Sequence, residues 1–212
     1  MTSPPPGPRR KDAIATRERL VRAGLELFTA QGYRGTTTLD IASRARIAEA
    51  TIYRHFVGKE ALFNEGYRQA LRWLVGVVKT ATGVGPVRPA VPGQGEGVKA
   101  KLAQVGRTVV EQVPKDPARV LMALRRPDGP GLEEATTLLQ RELRDGLVQL
   151  IAAGKQQGAI RPGAADLWAA IWQALLLFAV ERVAARDWSP DHPSVAATFD
   201  AAWDAIAYRA PA

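Results

Sequence analysis

Apolar residues recur at every third or fourth position along almost the whole chain, and no stretch alternates as a half-buried strand would. From Asp12 to Gln31, Leu20, Gly24, Leu27 and Phe28 form one stripe, with Arg17, Arg19 and Arg22 largely off it. Gly32 follows where a helix commonly ends on a left-handed glycine. A second, shorter stripe comprises Ile41, Ala42 and Ala45. Thr37 precedes it and Asp40 stands three residues on, the spacing of a reciprocal helix cap. Ser43 to Ile47 leaves room only for a tight turn, and another short helix is predicted from about Ala48 to His55. On that helix Ile52 and Phe56 share the inward side. Ala50 and Arg54, flanked by Thr51 and Tyr53, make an outward face that is small, polar and cationic, as entry into a DNA major groove requires. Val57-Gly58 breaks the pattern. A long helix is predicted from Lys59 to about Thr80, with Leu62, Phe63, Tyr67, Leu71, Leu74 and Val78 in register.

Ala81 to Gly97, ATGVGPVRPAVPGQGEG, is too rich in Gly and Pro for a regular element and is expected to be a flexible loop. Helices resume at about Val98–Val113, Pro117–Arg126, Gly131–Gln156, Ala164–Asp187 and Pro193–Tyr208, with prolines at the joints. The expected fold class is therefore all-α. The penultimate helix is apolar nearly all round: Trp168, Trp172, Leu176 and Ala179 form one stripe, and Leu167, Ile171, Leu175 and Phe178 another. Such a helix has to bury against two different things. The last helix offers Phe199, Trp203 and Ile206 on one face.

Composition narrows the function. The 212 residues include no cysteine, which removes disulfide scaffolds and thiolate zinc sites, and no metal or cofactor site is expected. A content of 46% hydrophobic and 24% charged residues is that of a soluble globular chain. The net charge of +8 favours a polyanionic partner, and it is uneven: residues 1–60 hold eleven Arg and Lys against six Asp and Glu. The Pro-rich start, MTSPPPGPRRK, has no apolar segment of a secretory signal and reads as a disordered arm. Its Arg9, Arg10 and Lys11 either trail along a phosphate backbone or are simply solvated. The longest apolar run, Leu167 to Val180, is short for a bilayer, so a buried helix, no membrane partner and a cytoplasmic location are expected.

Leu20 to Lys59, with the Glu60-Ala61-Leu62 that follows, resembles the helix-turn-helix domain of the TetR family of bacterial transcriptional regulators. The matching residues are Leu27-Phe28, Gly32-Tyr33, Thr36-Thr37, Asp40-Ile41-Ala42, Thr51-Ile52-Tyr53, His55-Phe56 and Lys59-Glu60-Ala61-Leu62. Two positions depart from the family pattern. Arg46 stands where Gly is usual, in a turn that asks for a positive φ, and Ala48 stands where a capping Ser or Thr is common. The resemblance implies a basic arm over 1–11, a DNA-binding domain over 12–58, and a helical body over 59–212 that dimerises and encloses an effector.

It implies a partner, a double-stranded operator, met by Thr37, Ala50, Thr51, Tyr53, Arg54, His55 and Lys59. Thr37, Tyr53 and Lys59 would hold phosphates, and Ala50, Thr51 and Arg54 would face bases; His55 would either add a phosphate contact or pack at the clamp. It further implies a homodimer through Leu175, Phe178, Phe199, Trp203 and Ile206. The effector site would draw on Trp73, Trp168, Trp172 and Leu176, with Gln173 either a polar anchor or an interface hydrogen bond. Core packing explains such Leu and Trp stripes more often than ligand contact does. Few charges fall on the inward stripes, so an apolar, aromatic or cationic-aromatic effector is expected. The chain carries no HExxH, phosphate-binding loop or nucleophile elbow, and only two histidines, so an enzyme is not expected. A DNA-binding regulator without an effector, or an activator, fits the same sequence.

Overall fold

The computed structural model describes residues 10–83, 97–125 and 128–208. Residues 1–9 of the expected arm and most of the expected loop lie outside these residues. Among the described residues the structure is all-helical, with one isolated antiparallel bridge, Ile160 to Ala207. The chain divides into two compact units: the described residues up to Tyr67 together with 128–132, and the remainder.

In the first unit, α1 (Arg10–Gly35) is interrupted at Gly32, whose φ of 75° and ψ of 169° end the regular helix. Helix α1 starts at Arg10, earlier than the spacing suggested. α2 (Thr38–Ala45) is closed at its start by the reciprocal cap: Asp40 N–H donates to Thr37 Oγ1, and Thr37 N–H donates to Asp40 Oδ2. It ends at Arg46, which adopts φ 55° and ψ 51°. Arg46 N–H donates to Ser43 O and Ile47 N–H to Ala42 O, both at 3.0 Å, which completes a Schellman closure on a residue that carries a Cβ.

The next segment, Glu49–Arg54, is a 3₁₀ helix rather than the expected α-helix. Ala48 leaves its N-terminus without a side-chain cap, and Thr51 and Ile52 are β-branched, so little favours a regular α turn locally. α3 (Lys59–Thr82) then begins, and its residues to Tyr67 belong to this unit. Leu20, Ile41, Ile52, Leu62 and Phe63 are fully buried, each worth roughly 1.5–3 kcal/mol of transfer free energy. α1 and α3 approach closely over Gly24, where a Cβ would stand 2.3 Å from Leu62 Cδ2. Phe28, Tyr33 and Phe63 form a ring cluster with centroids 5.2–5.8 Å apart.

The second unit holds the rest of α3 with α4 (Val98–Gln112), α5 (Pro117–Leu124), α6 (Glu134–Gln156), α7 (Ala165–Ala184) and α8 (Pro193–Asp204). α5 starts on an Asp116 cap with Pro117 in its first turn, and α8 on a His192 cap with Pro193 in its first turn. α7 is the hub, touching α4, α5, α6 and α8. Trp172, Leu176, Ala179, Val180 and Val183 form its buried side. At 20 residues with a mean hydropathy of 1.5, α7 is longer than the apolar run read from the sequence and matches a membrane span by length and composition. Only a third of that stretch is buried here. After α8 the chain does not continue as helix: Arg161 N–H donates to Ile206 O at 3.0 Å and Tyr208 N–H to Ala159 O at 2.9 Å.

Candidate nucleic-acid interface

The head is built so that its reading segment is held from behind and left open in front. Three residues per turn place Glu49, Ile52 and His55 on one line of the 3₁₀ helix. Ile52 is fully buried, and Glu49 accepts a hydrogen bond from Thr38 Oγ1 at 2.6 Å, which ties the segment to α2. Phe56 is buried beneath the Arg17 guanidinium, 4.5 Å from its ring centroid, and Arg17 also pairs with Glu65 at 3.5 Å. With that side fixed, Ala50, Tyr53 and Arg54 are exposed and Thr51 is half-buried at the edge. Tyr53 is 58% exposed, so its phenol is available to a partner. His55 lies half-buried on the line shared with Glu49 and Ile52.

Two other expected DNA contacts are engaged within the head. The Thr37 hydroxyl donates to Asp40 Oδ2 at 2.7 Å and accepts from Asp40 N–H at 3.1 Å. The bonds that Thr37 donates to the carboxylate, from its hydroxyl and then from its backbone N–H, hold the Asp40 carboxyl below its usual range. Lys59 Nζ donates to Tyr33 O at 2.9 Å and Thr36 O at 2.8 Å, and stands 4.1 Å from the Tyr33 ring centroid. An ammonium has three N–H donors, so one remains. Burial, and then the Glu60 carboxylate, push the Tyr33 phenol above its ordinary value. Arg44 pairs with Glu26 at 2.6 Å, whereas Arg46 and Arg54 have no anionic partner among the described residues.

In the second unit the expected effector residues do not converge on a groove that opens there. A groove of about 620 Å³ is bordered by α3, α4 and α6, from Val75, Val78, Lys79, Lys101, Arg141, Leu143, Leu150 and their neighbours. None of Trp73, Trp168, Trp172, Gln173 and Leu176 borders it. Trp172 and Leu176 are core residues, and Trp168 packs on Gly163, where a Cβ would sit 2.9 Å from its ring. Trp73 and Gln173 are half-buried. Of the expected dimer residues, Phe178 is 46% exposed, and Leu175, Phe199 and Trp203 are half-buried. Ile206 requires a correction: it is fully buried in its own protomer, because the chain turns into the bridge after α8 and tucks it inward. Sequence spacing also missed the groove, since Lys101 and Arg141 come from helices far apart in the chain.

Comparison with known proteins agrees with the head. Residues 20–65 match the family of bacterial regulatory proteins described as the tetR family. The transcriptional regulator TcmR of Streptomyces glaucescens is 46% identical over 55 residues, 26% of this chain and 24% of that protein. The repressor KstR2 of Mycolicibacterium smegmatis is 36% identical over 70 residues, 31% of this chain and 34% of that protein. The chain thus matches only about a quarter to a third of the length of these curated relatives. The fold likeness is broader. A TetR family regulator from Marinobacter aquaeolei VT8 superposes with a TM-score of 0.73 at 18% identity, covering 95% of this chain and all of that one. KstR2 of Mycobacterium tuberculosis gives 0.65 at 19% identity, covering 91% and 95%. The head, residues 20–65, thus matches the tetR family of bacterial regulatory proteins, and it stands on a fold that solved tetR-family structures share along nearly the whole length of this chain.

Proposed function

We propose that the protein is a homodimeric transcriptional repressor that binds a pseudo-palindromic operator and is released by a small molecule held in its helical body. One observation carries the DNA-binding part: Ile52 and Phe56 lock one side of the 3₁₀ segment while Ala50, Tyr53 and Arg54 stand exposed on the other. Tyr53 is assigned a phosphate, and Arg54 with Ala50 and Thr51 the base edges. Lys59 offers a phosphate its one remaining donor, and Thr37 acts chiefly by capping α2. His55 packs. Pairing through the open sides of α7 and α8, with Leu175, Phe178, Phe199 and Trp203, would cover apolar surface that one protomer leaves uncovered. Two heads related by a two-fold axis would then meet half-sites at helical-turn spacing. Trp73 and Gln173, half-buried, stay candidates for effector contact.

The test is a fluorescence-anisotropy titration of duplex fragments from around the protein's own gene. Tyr53→Phe should weaken every fragment alike, by about 1 kcal/mol or roughly fivefold, as loss of one hydroxyl hydrogen bond requires. Wild-type protein that binds no fragment above non-specific level would overturn the proposal, and a Tyr53→Phe variant that changes only sequence preference would overturn the phosphate assignment.

A further inference from the structure

We infer that the groove between α3, α4 and α6 is a binding site for an amphipathic monoanion, a molecule with an apolar body and a single carboxylate-type head. The inference rests on the effector role proposed above and names the chemistry of the effector. Val75, Val78, Leu143 and Leu150 give the groove a wall of buried aliphatic side chains. Its volume of about 620 Å³ is that of a site for a small organic molecule.

The charges decide which molecule. Five ionic side chains border the groove: Lys79, Lys101, Arg141, Glu142 and Asp145. Glu142 is already taken, by Lys79 Nζ at 2.5 Å, and Asp145 lies 3.6 Å from the Arg144 guanidinium. Lys101 on α4 and Arg141 on α6 have no acidic partner among the described residues. A cationic guest would have to compete with Lys79 and Arg144 for carboxylates and would add its charge to two unpaired cations. An anionic head in the groove meets two cations, Lys101 and Arg141, that no carboxylate already neutralises among the described residues. The apolar wall accounts for the body, and the two cations for the head. This reverses the sign of the cationic-aromatic guest suggested by the inward stripes, because the groove is bordered by side chains that those stripes do not contain.

A matched series tests it: dodecanoate, dodecanol and dodecyltrimethylammonium, each titrated into the full-length protein by calorimetry below its micelle concentration. Dodecanoate should bind at least about tenfold more tightly than the ammonium compound, a difference of about 1.4 kcal/mol. The pair of substitutions Lys101→Gln and Arg141→Gln should cut dodecanoate affinity at least about tenfold and leave dodecanol unchanged, and Lys101→Glu with Arg141→Glu should reverse the preference. Arg72→Gln, on the exposed side of α3 and outside the groove, should change nothing. The assignment is overturned if dodecanoate does not bind, if all three compounds bind alike, or if the glutamine pair keeps full dodecanoate affinity. Adding dodecanoate to the protein–DNA complex separates the two proposals. Binding without release of DNA removes the effector role and keeps the site; release of DNA by other compounds, with no dodecanoate binding, keeps the effector role and removes this site.

Discussion

Arg46→Gly isolates the energetics of the turn between α2 and the reading segment. Arg46 holds φ 55° and ψ 51°, and the hydrogen bonds that fix it there run from its own N–H and from that of Ile47. For a residue with a Cβ, the left-handed region costs roughly 1–2 kcal/mol. Glycine removes that cost but adds backbone freedom to the unfolded chain, worth about 0.5–1 kcal/mol in the opposite sense. The variant should therefore be more stable than the natural chain by about 0.5–1 kcal/mol. For a chain of this size that raises the thermal midpoint by roughly 1–4 °C. Urea unfolding followed by circular dichroism should show a higher midpoint at an unchanged m-value. Arg46→Ala provides the control, since it removes the guanidinium and keeps the Cβ: its midpoint should stay near that of the natural protein. A glycine variant that is less stable, or an alanine variant that gains as much as glycine, would refute the account, because the strain would then not be conformational.

Lys59→Met keeps the length of the stem and removes the ammonium donor from Tyr33 O and Thr36 O, leaving Tyr33 O only the long bond from Thr36 N–H at 3.4 Å. A loss of about 2 kcal/mol is expected in urea unfolding, and an unchanged midpoint would show that water replaces the ammonium without cost. The capping carboxylate of Asp40 has its pKa lowered, by the hydrogen bonds from the Thr37 side chain and backbone, so its contribution is present above the ordinary carboxylate range and vanishes as pH falls through the lowered value. Asp40→Asn should thus flatten the acid limb of a stability–pH profile taken from about pH 6 to pH 2, and a limb as steep as that of the natural protein would contradict it. Phe178→Asp, placed on the exposed side of α7, should give monomers in sedimentation and abolish operator binding; a dimer that survives the substitution would move the interface elsewhere.

What the sequence disclosed was chiefly local. The Thr37–Asp40 cap, the break at Gly32 and the left-handed Arg46 each follow from chemistry within a few residues, and all three stand in the structure. Helical spacing likewise placed Ile52 and Phe56 inward. It did not reveal that Glu49–Arg54 tightens into a 3₁₀ turn, because six residues are too few to separate a period of 3.0 from 3.6. Nor does periodicity say which neighbour a stripe meets. Ile206 belongs to the face that spacing offered to a second protomer, yet the bridge between Ile160 and Ala207 draws it into its own core. The groove was hidden for a related reason: Lys101 and Arg141 become neighbours of one cavity only when α4 and α6 are packed.

Helix α7 carries one more consequence. With Leu167 51% and Phe178 46% exposed, the helix at the centre of the body leaves large side chains facing water in a lone protomer. If a twin covers them, the melting temperature is not a constant of the chain but climbs with its concentration, since association draws on the folded form alone. Under the proposed repressor role, dilution would then both empty operators and shorten the lifetime of the molecule, so that its abundance would set its durability as well as its occupancy.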